Sequence, residues 1–266
     1  MTEHAIEHGR AGRTAVDGRA AARRWSGLAW RQYRLERKMF WRNPSAAFFN
    51  FLLPLLFLGF FGALLHDNRD VLQVIVPGIA GMSVMATTFT ALAFNITFLR
   101  EQGILKRIRG TPLPTSAYLA GIAGSAVTNT VLQITIISVA GKDLFGLDWP
   151  QDVLSLAFFV ALGVVCFASL GVALSHAIPN FDAAPAYVNA VFLPLIFISG
   201  TFYSTDHLPR VISAIANALP LKHIIDGLYG ALVSGKGLVH HAPAVVALVL
   251  WCAAGLTLAL RYFRWE

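Results

Sequence analysis

The stretch LREQGILKRIRGTPLPTS, residues 99–116, interrupts two long apolar runs with four cations (Arg100, Lys106, Arg107, Arg109), one acid (Glu101), two glycines and two prolines. Its helix-forming middle, ILKRIR, is bounded by Gly103 on one side and Pro112 on the other. Glycine and proline are the two residues that most readily stop a helix. A short basic helix is thus expected between two greasy segments, and its meaning depends on those segments.

Working outward, residues 71–99 precede it and residues 116–140 follow it. At 1.5 Å per residue, about 20 apolar residues cross the ~30 Å hydrocarbon layer of a bilayer. Six runs meet that length: residues 45–65, 71–99, 116–140, 153–175, 183–202 and 242–260. None contains Asp, Glu, Lys or Arg. The second is too long for a straight crossing, and Pro77-Gly78 is expected to mark its effective start or a break; Pro194 is expected to kink the fifth. The composition agrees: 56% hydrophobic and 13% charged residues, against about 25% charged in soluble domains. Apolar runs fill most of the chain after Ser45, which leaves no room for a large soluble catalytic domain. The fold class is all-α integral membrane, with a six-span domain over residues 45–262.

The net charge of +7 is unevenly placed. With six spans both termini share a side. That side collects 16 Lys/Arg, counting the N-terminal region, residues 100–109 and the C-terminus; the other side holds Arg69, Lys142, Arg210, Lys222 and Lys236. The positive-inside rule places both termini and the opening stretch in the cytoplasm of a multi-pass cell-membrane protein. The basic balance therefore reflects topology and anionic headgroups, with no nucleic-acid partner implied. Residues 1–44 lack an apolar signal-peptide core, so the first span is expected to act as the targeting signal.

Residues 1–22 are Gly/Ala/Arg-rich and aperiodic, and are expected to form a disordered cytoplasmic tail. Residues 23–44 differ. On a helix at 100° per residue, Trp25, Leu28, Ala29, Tyr33, Leu35, Met39 and Phe40 share one face, and Arg24, Arg31, Arg34, Lys38 and Arg42 the other. That pattern predicts an amphipathic elbow helix in the plane of the membrane surface, with Arg31, Arg34 and Lys38 on its basic face. Gln32 and Glu36 interrupt the apolar arc. Between spans five and six, LPLKHIIDGLYGALV places Leu221, Ile224, Ile225, Leu228, Tyr229 and Leu232 at helical spacing. This helix and RVISAIANAL before it are too short to span. Both are read as re-entrant helices buried against protein in the outer leaflet.

Residues that could carry chemistry are sparse. GALVSGKG, residues 230–237, matches the spacing of a phosphate-binding loop but has Gly where Ser or Thr would hold Mg²⁺, and a helix precedes it where a strand is required. Cys166 and Cys252 are isolated in sequence and read as small buried residues. His223 and Asp226 lie one helical turn apart and suggest a local polar contact. The adjacent pair His240-His241 has no further metal ligand nearby. The polar residues inside the spans, Asn95 on the second and Ser125, Asn129 and Gln133 on one face of the third, fit two readings. They form interhelical hydrogen bonds, or they line a partly polar translocation path.

The opening stretch resembles the loop after the second span in type-2 ABC exporter permeases, whose pattern is roughly E-x-G-T-L-[ERK]-R-[LI]-[RL]-x-[TS]-P-[LV]. Glu101, Gly103, Leu105, Lys106, Arg107, Ile108, Arg109, Thr111, Pro112 and Leu113 fit it, with Ile104 where Thr is commoner. LPLIFISGTFYSTDHLP, residues 193–209, resembles that family's end of span five, and NALPLKHIIDGLYGAL, residues 217–232, its stretch before span six. The resemblance runs in order over residues 24–262. It implies the permease subunit of an exporter of the drug- or antibiotic-export-like kind, which moves an amphiphilic substrate. A lipid-linked glycan or polysaccharide exporter of the same fold is the alternative. It further implies a second permease subunit and a separate ABC ATPase that holds ATP and Mg²⁺, so that this chain binds no cofactor and is not itself an enzyme. Glu101, Gly103, Lys106, Arg107, Arg109, Thr111, Pro112 and Leu113 then form the coupling helix that the ATPase grips, with Glu101 in its first turn.

Overall fold

The computed structural model describes residues 24–65, 68–111, 113–205 and 209–262. The expected tail and Pro112 lie outside the described residues. Among those described, the regular structure is entirely helical. Helix α1 covers residues 24–42, and α2 is Pro44–Leu64, with Pro44 in its first turn, where a missing N–H costs nothing. Then follow α3 (Arg69–Met85), α4 (Ala91–Glu101), α5 (Ile104–Arg109), α6 (Thr115–Phe145), α7 (Val153–Ser175), α8 (Ala184–Ile198), α9 (Arg210–Ala218), α10 (Pro220–Tyr229) and α11 (Ala242–Tyr262).

Five helical segments are long and apolar enough to cross a membrane: α2, α3 through α4, α6, α7 and α11. The α3–α4 segment, α6 and α11 pack on α7, whose Phe159, Val160, Val164 and Phe167 are fully buried in the main core, and α2 packs on α3 and α6. Contacts define two ends of the bundle. The near end carries α5, the C-terminus of α7 and the C-terminus of α11. The far end carries the α6–α7 connection and the chain before α11.

The second crossing corrects the expected break at Pro77-Gly78. Helix α3 runs straight through that pair. Gly78 instead provides room, since a Cβ there would lie 1.9 Å from the Thr201 carbonyl oxygen. The irregularity comes later, as a π-helical turn over Ala86–Thr90. Ser83, Thr87 and Thr88 all bond back to carbonyls of the preceding turn, which competes with the regular ladder. Thr87 Oγ1 also meets Thr130 Oγ1 of α6 at 2.9 Å. On the other flank Gly171 of α7 lies against the Phe89 backbone, where a Cβ would come within 2.6 Å of its oxygen.

The fifth crossing is helical only to Ile198, short of the expected residue 202, and Pro194 lies inside α8 without ending it. The segment nevertheless extends along most of the second crossing. Phe181 packs on Phe94 and Phe98 with centroids 6.2 and 5.4 Å away, and Thr201 rests on Gly78. The segment therefore traverses the part of α3–α4 from Phe98 back to Gly78, about 30 Å at helical rise. Its last part, Ser199 to Thr201, is non-helical and fully buried, and Gly200 adopts φ +77°. Irregular backbone at membrane depth is tolerated where protein covers it.

Helices α9 and α10, the pair expected to be re-entrant, meet at an 86° bend. Leu221, Ile224, Ile225 and Leu228 are buried as the periodicity predicts, while Tyr229 stays partly exposed at the edge. Ile225 seats over Gly81 of α3 and Ile224 over Gly163 of α7. Helix α6 is longer than the expected 116–140 and takes Lys142 and Asp143 into its last turns. It stops at Gly146, φ +66°, where the Gly146 and Leu147 N–H groups bond to Lys142 and Gly141 carbonyls at 2.9 and 3.2 Å, an ordinary left-handed helix cap.

Candidate functional site

At the near end the opening stretch is two helices with a reversal between them. Helix α4 ends at Glu101, and Gly103 turns the chain at φ +66° into α5. Glu101 is therefore the last residue of α4, not the first turn of a coupling helix. A carboxylate at a helix C-terminus is disfavoured by the dipole. It is held by a specific partner, the Phe181 backbone N–H, at 2.6 Å. The neighbouring Arg100 donates to the carbonyls of Ser175, at 2.9 Å, and Ile178. A guanidinium on the Ser175 carbonyl, the last of α7, satisfies its hydrogen bonding and the negative end of that helix, while Ile178 lies in the connection beyond. Arg100 and Glu101 thus clamp the loop before α5 to the α7–α8 connection. No sequence signal pointed to this clamp, because its partners lie 75 to 80 residues away.

Helix α5 is anchored by Leu105, which is 1% exposed in a second core cluster with Leu92, Ile96, Tyr118, Ile122, Val172 and Ala259. Leu113 packs on the same cluster from the other end of the loop. Lys106, Arg107 and Thr111 are exposed. The Arg109 side chain lies outside what is described. The arrangement is a short stub, rooted by one leucine and presenting cations outward.

Helix α1 packs along the near-end half of α6. Its contacts advance together, so α1 lies lengthwise along α6, a departure from the expected in-plane surface helix: Trp25 Nε1 to Ser116 Oγ at 2.9 Å, Tyr33 to Thr128 at 3.2 Å, and Arg37 to Asn129 Oδ1. Gly121 permits the approach, since a Cβ there would meet Gln32 at 2.5 Å. Gln32, which interrupted the apolar arc, is 8% exposed and donates to Glu36 at 2.7 Å. Burial pushes the Glu36 carboxyl above its ordinary range, and the Gln32 hydrogen bond opposes this. Arg31, Arg34 and Lys38 are exposed on the outer side.

The polar residues of the third span are now placed. Asn129 accepts from Arg37, and Gln133 Nε2 donates to the Asn50 carbonyl of α2 at 2.5 Å. Ser125 is buried. Asn129 and Gln133 thus serve interhelical bonds within the subunit. Asn95 is half-buried on α4, and Asn189 of α8, which sequence reasoning passed over, is exposed on a membrane-crossing segment.

Cavities of about 600 and about 200 Å³ lie between these elements. The larger, about 600 Å³, runs from Met85 and Phe89 of the second crossing past Phe167 of α7 to Val191 of α8 and Trp251 of α11, under the α9–α10 corner at Leu219-Pro220. Its lining is almost wholly apolar, with His176 at its near-end edge. The smaller, about 200 Å³, lies toward the far end and is lined by Ser199, Tyr203, Lys222, Asp226 and Tyr229. Lys222 pairs with Asp226, while His223 donates to the Asn217 carbonyl at 2.9 Å. His223 and Asp226 therefore take separate partners.

Apolar helices around a drug-sized cavity, with an outward-facing cationic stub at one end, form the membrane domain of a transport protein. A family model described as ABC-2 type transporter matches residues 25–233. The chain belongs to that family and is the membrane permease subunit of an ABC exporter, a transport component rather than a catalyst, with the ATPase on a separate subunit. It is 26% identical over 250 residues to nodulation protein J of Rhizobium meliloti (strain 1021), covering 90% of this chain and 93% of that one. It is 28% identical over 234 residues to the daunorubicin resistance ABC transporter permease protein DrrB1 of Streptomyces coeruleorubidus, covering 80% and 77%. To the inner membrane transport permease YadH of Escherichia coli (strain K12) it is 27% identical over 165 residues, covering 60% and 63%. Membership implies association with an ABC ATPase and pairing of permease subunits.

Proposed function

We propose that this permease moves a drug-like, antibiotic or other amphiphilic substrate out of the cell across the plasma membrane, with both termini in the cytoplasm. The observation that carries this reading is the 600 Å³ apolar cavity at bilayer depth. It falls within the 300–1,000 Å³ range of small-molecule pockets. The relative named for daunorubicin resistance supports the same cargo class. ATP and Mg²⁺ sit on the partner ATPase, and this chain needs no cofactor of its own. Coupling runs through the α5 stub: Lys106 and Arg107 meet an ATPase cleft, and the Arg100–Glu101 clamp passes the motion to α7 and α8. Asn95 and Asn189 are the polar residues best placed to face a second permease subunit or the path between the two, since an exposed amide in lipid is costly.

The test uses inside-out vesicles containing the permease and its cognate ATPase, with daunorubicin as the probe. ATP-dependent uptake is expected, and Val191→Trp, which fills the cavity, should abolish it while ATPase co-purification persists. If amphiphilic drugs are ignored and a lipid-linked glycan is moved instead, the cargo reading is replaced by the alternative.

A further inference from the structure

The two cysteines of the chain, far apart in sequence, meet in the fold. Helices α7 and α11 run side by side in the same direction. At their closest approach, Gly255 lies so near α7 that a Cβ would be 2.4 Å from Ser169 Oγ and 3.2 Å from the Leu170 backbone nitrogen. One turn earlier on both helices stand Cys252 and Cys166. Cys252 Sγ donates to the Leu162 carbonyl at 3.9 Å, one turn above Cys166, which places both thiols in the seam between α7 and α11. Cys166 is fully buried, whereas Cys252 is half-buried on α11 between the exposed Leu250 and Ala253.

We propose that Cys252 and Cys166 are a redox-modification site, an attacking and a resolving thiol that close into a disulfide across α7 and α11 when a membrane-soluble hydroperoxide reaches them. A more accessible thiol next to a buried partner is the arrangement that converts a sulfenic acid into a disulfide before further oxidation. The Cys252 sulfur attacks the distal peroxide oxygen; the O–O bond breaks, the alcohol leaves with the thiol proton, and a sulfenic acid remains. The Cys166 sulfur then displaces that oxygen as water and the S–S bond forms. The two thiols have lost two electrons and the peroxide has gained them. Because Gly255 brings α11 into close contact with α7 one turn away, closure calls for side-chain rotation within an existing helix contact. The bond would fix the wall of the large cavity between Phe167 and Trp251, the neighbours of the two cysteines.

The test uses the full chain in lipid nanodiscs treated with cumene hydroperoxide, followed by denaturation, thiol alkylation and intact mass. The expected result is the joint loss of both free thiols within one chain, a Cys166–Cys252 cross-linked peptide, and recovery of both thiols with dithiothreitol. Cys166→Ser should leave a Cys252 sulfenic acid that dimedone traps, while Cys252→Ser should leave Cys166 unoxidised. Retention of both thiols under conditions that fully oxidise glutathione would overturn the proposal. So would cross-links between chains, or oxidation of Cys166 in Cys252→Ser.

Discussion

Two neighbouring residues, Arg100 and Glu101, show how much a single side chain decides at the near end. Each satisfies backbone groups of the α7–α8 connection that would otherwise be unpaired beside protein. Glu101→Ala removes the acceptor of the exposed Phe181 N–H and should cost about 1 kcal/mol locally. Glu101→Gln keeps an acceptor oxygen. The expected outcome is that substrate-stimulated ATP hydrolysis falls sharply in Glu101→Ala and much less in Glu101→Gln, with both proteins inserted normally. Equal losses would instead point to an ATPase contact that needs the charge. Gly103 offers a second comparison at this scale. Its φ of +66° disfavours any Cβ, but no atom lies within 4 Å of where one would sit. Gly103→Ala should therefore lose only about 1–2 kcal/mol. Gly78→Ala would drive a methyl into the Thr201 carbonyl, and should abolish folded protein as judged by gel filtration.

At the scale of elements, α1 is held to α6 by a polar seam as well as by its apolar positions. Glu36 in that seam has a raised pKa through burial. An acid whose folded pKa exceeds its unfolded value binds more protons in the native state over the interval between the two. The stability this provides is fully present below the unfolded pKa, near 4.5, and is lost as pH rises through the folded value. Wild-type melting temperature should accordingly fall as pH rises across that interval, and Glu36→Gln should flatten the dependence. Unchanged slopes in the variant would remove Glu36 as the titrating group. The π-helical turn is the other element set by its surroundings. Gly171→Ala should push Phe89 away from α7 and narrow the large cavity it lines, measurable as weaker binding of the probe drug.

The whole molecule is organised by charge and length. Cations lie densely at the end bearing α1 and α5 and sparsely at the other. In a background lacking the native cysteines, Arg107→Cys should react with an impermeant maleimide only from the cytoplasm, and Lys236→Cys only from outside. Labelling of both from one side would refute the six-span topology.

The long apolar helices, the helix at residues 24–42 and the helical periodicity of α10 were legible in the sequence, because bilayer thickness and helical periodicity act locally and leave a one-dimensional trace. The basic loop was legible for the same reason, as a run of neighbouring residues between two spans. What tertiary structure alone decided is which groups meet. Pro77-Gly78 looked like a break until Thr201 was found resting on Gly78. Glu101 looked like a helix start until α4 was seen to end there, against Phe181. Asn129 and Gln133 share a helix face in the sequence, and the fold gives them Arg37 and the Asn50 carbonyl as hydrogen-bond partners. Cys166 and Cys252 looked isolated until α7 and α11 brought them together. In each case the partner lies dozens of residues away, and only the packing of one helix on another makes the pair.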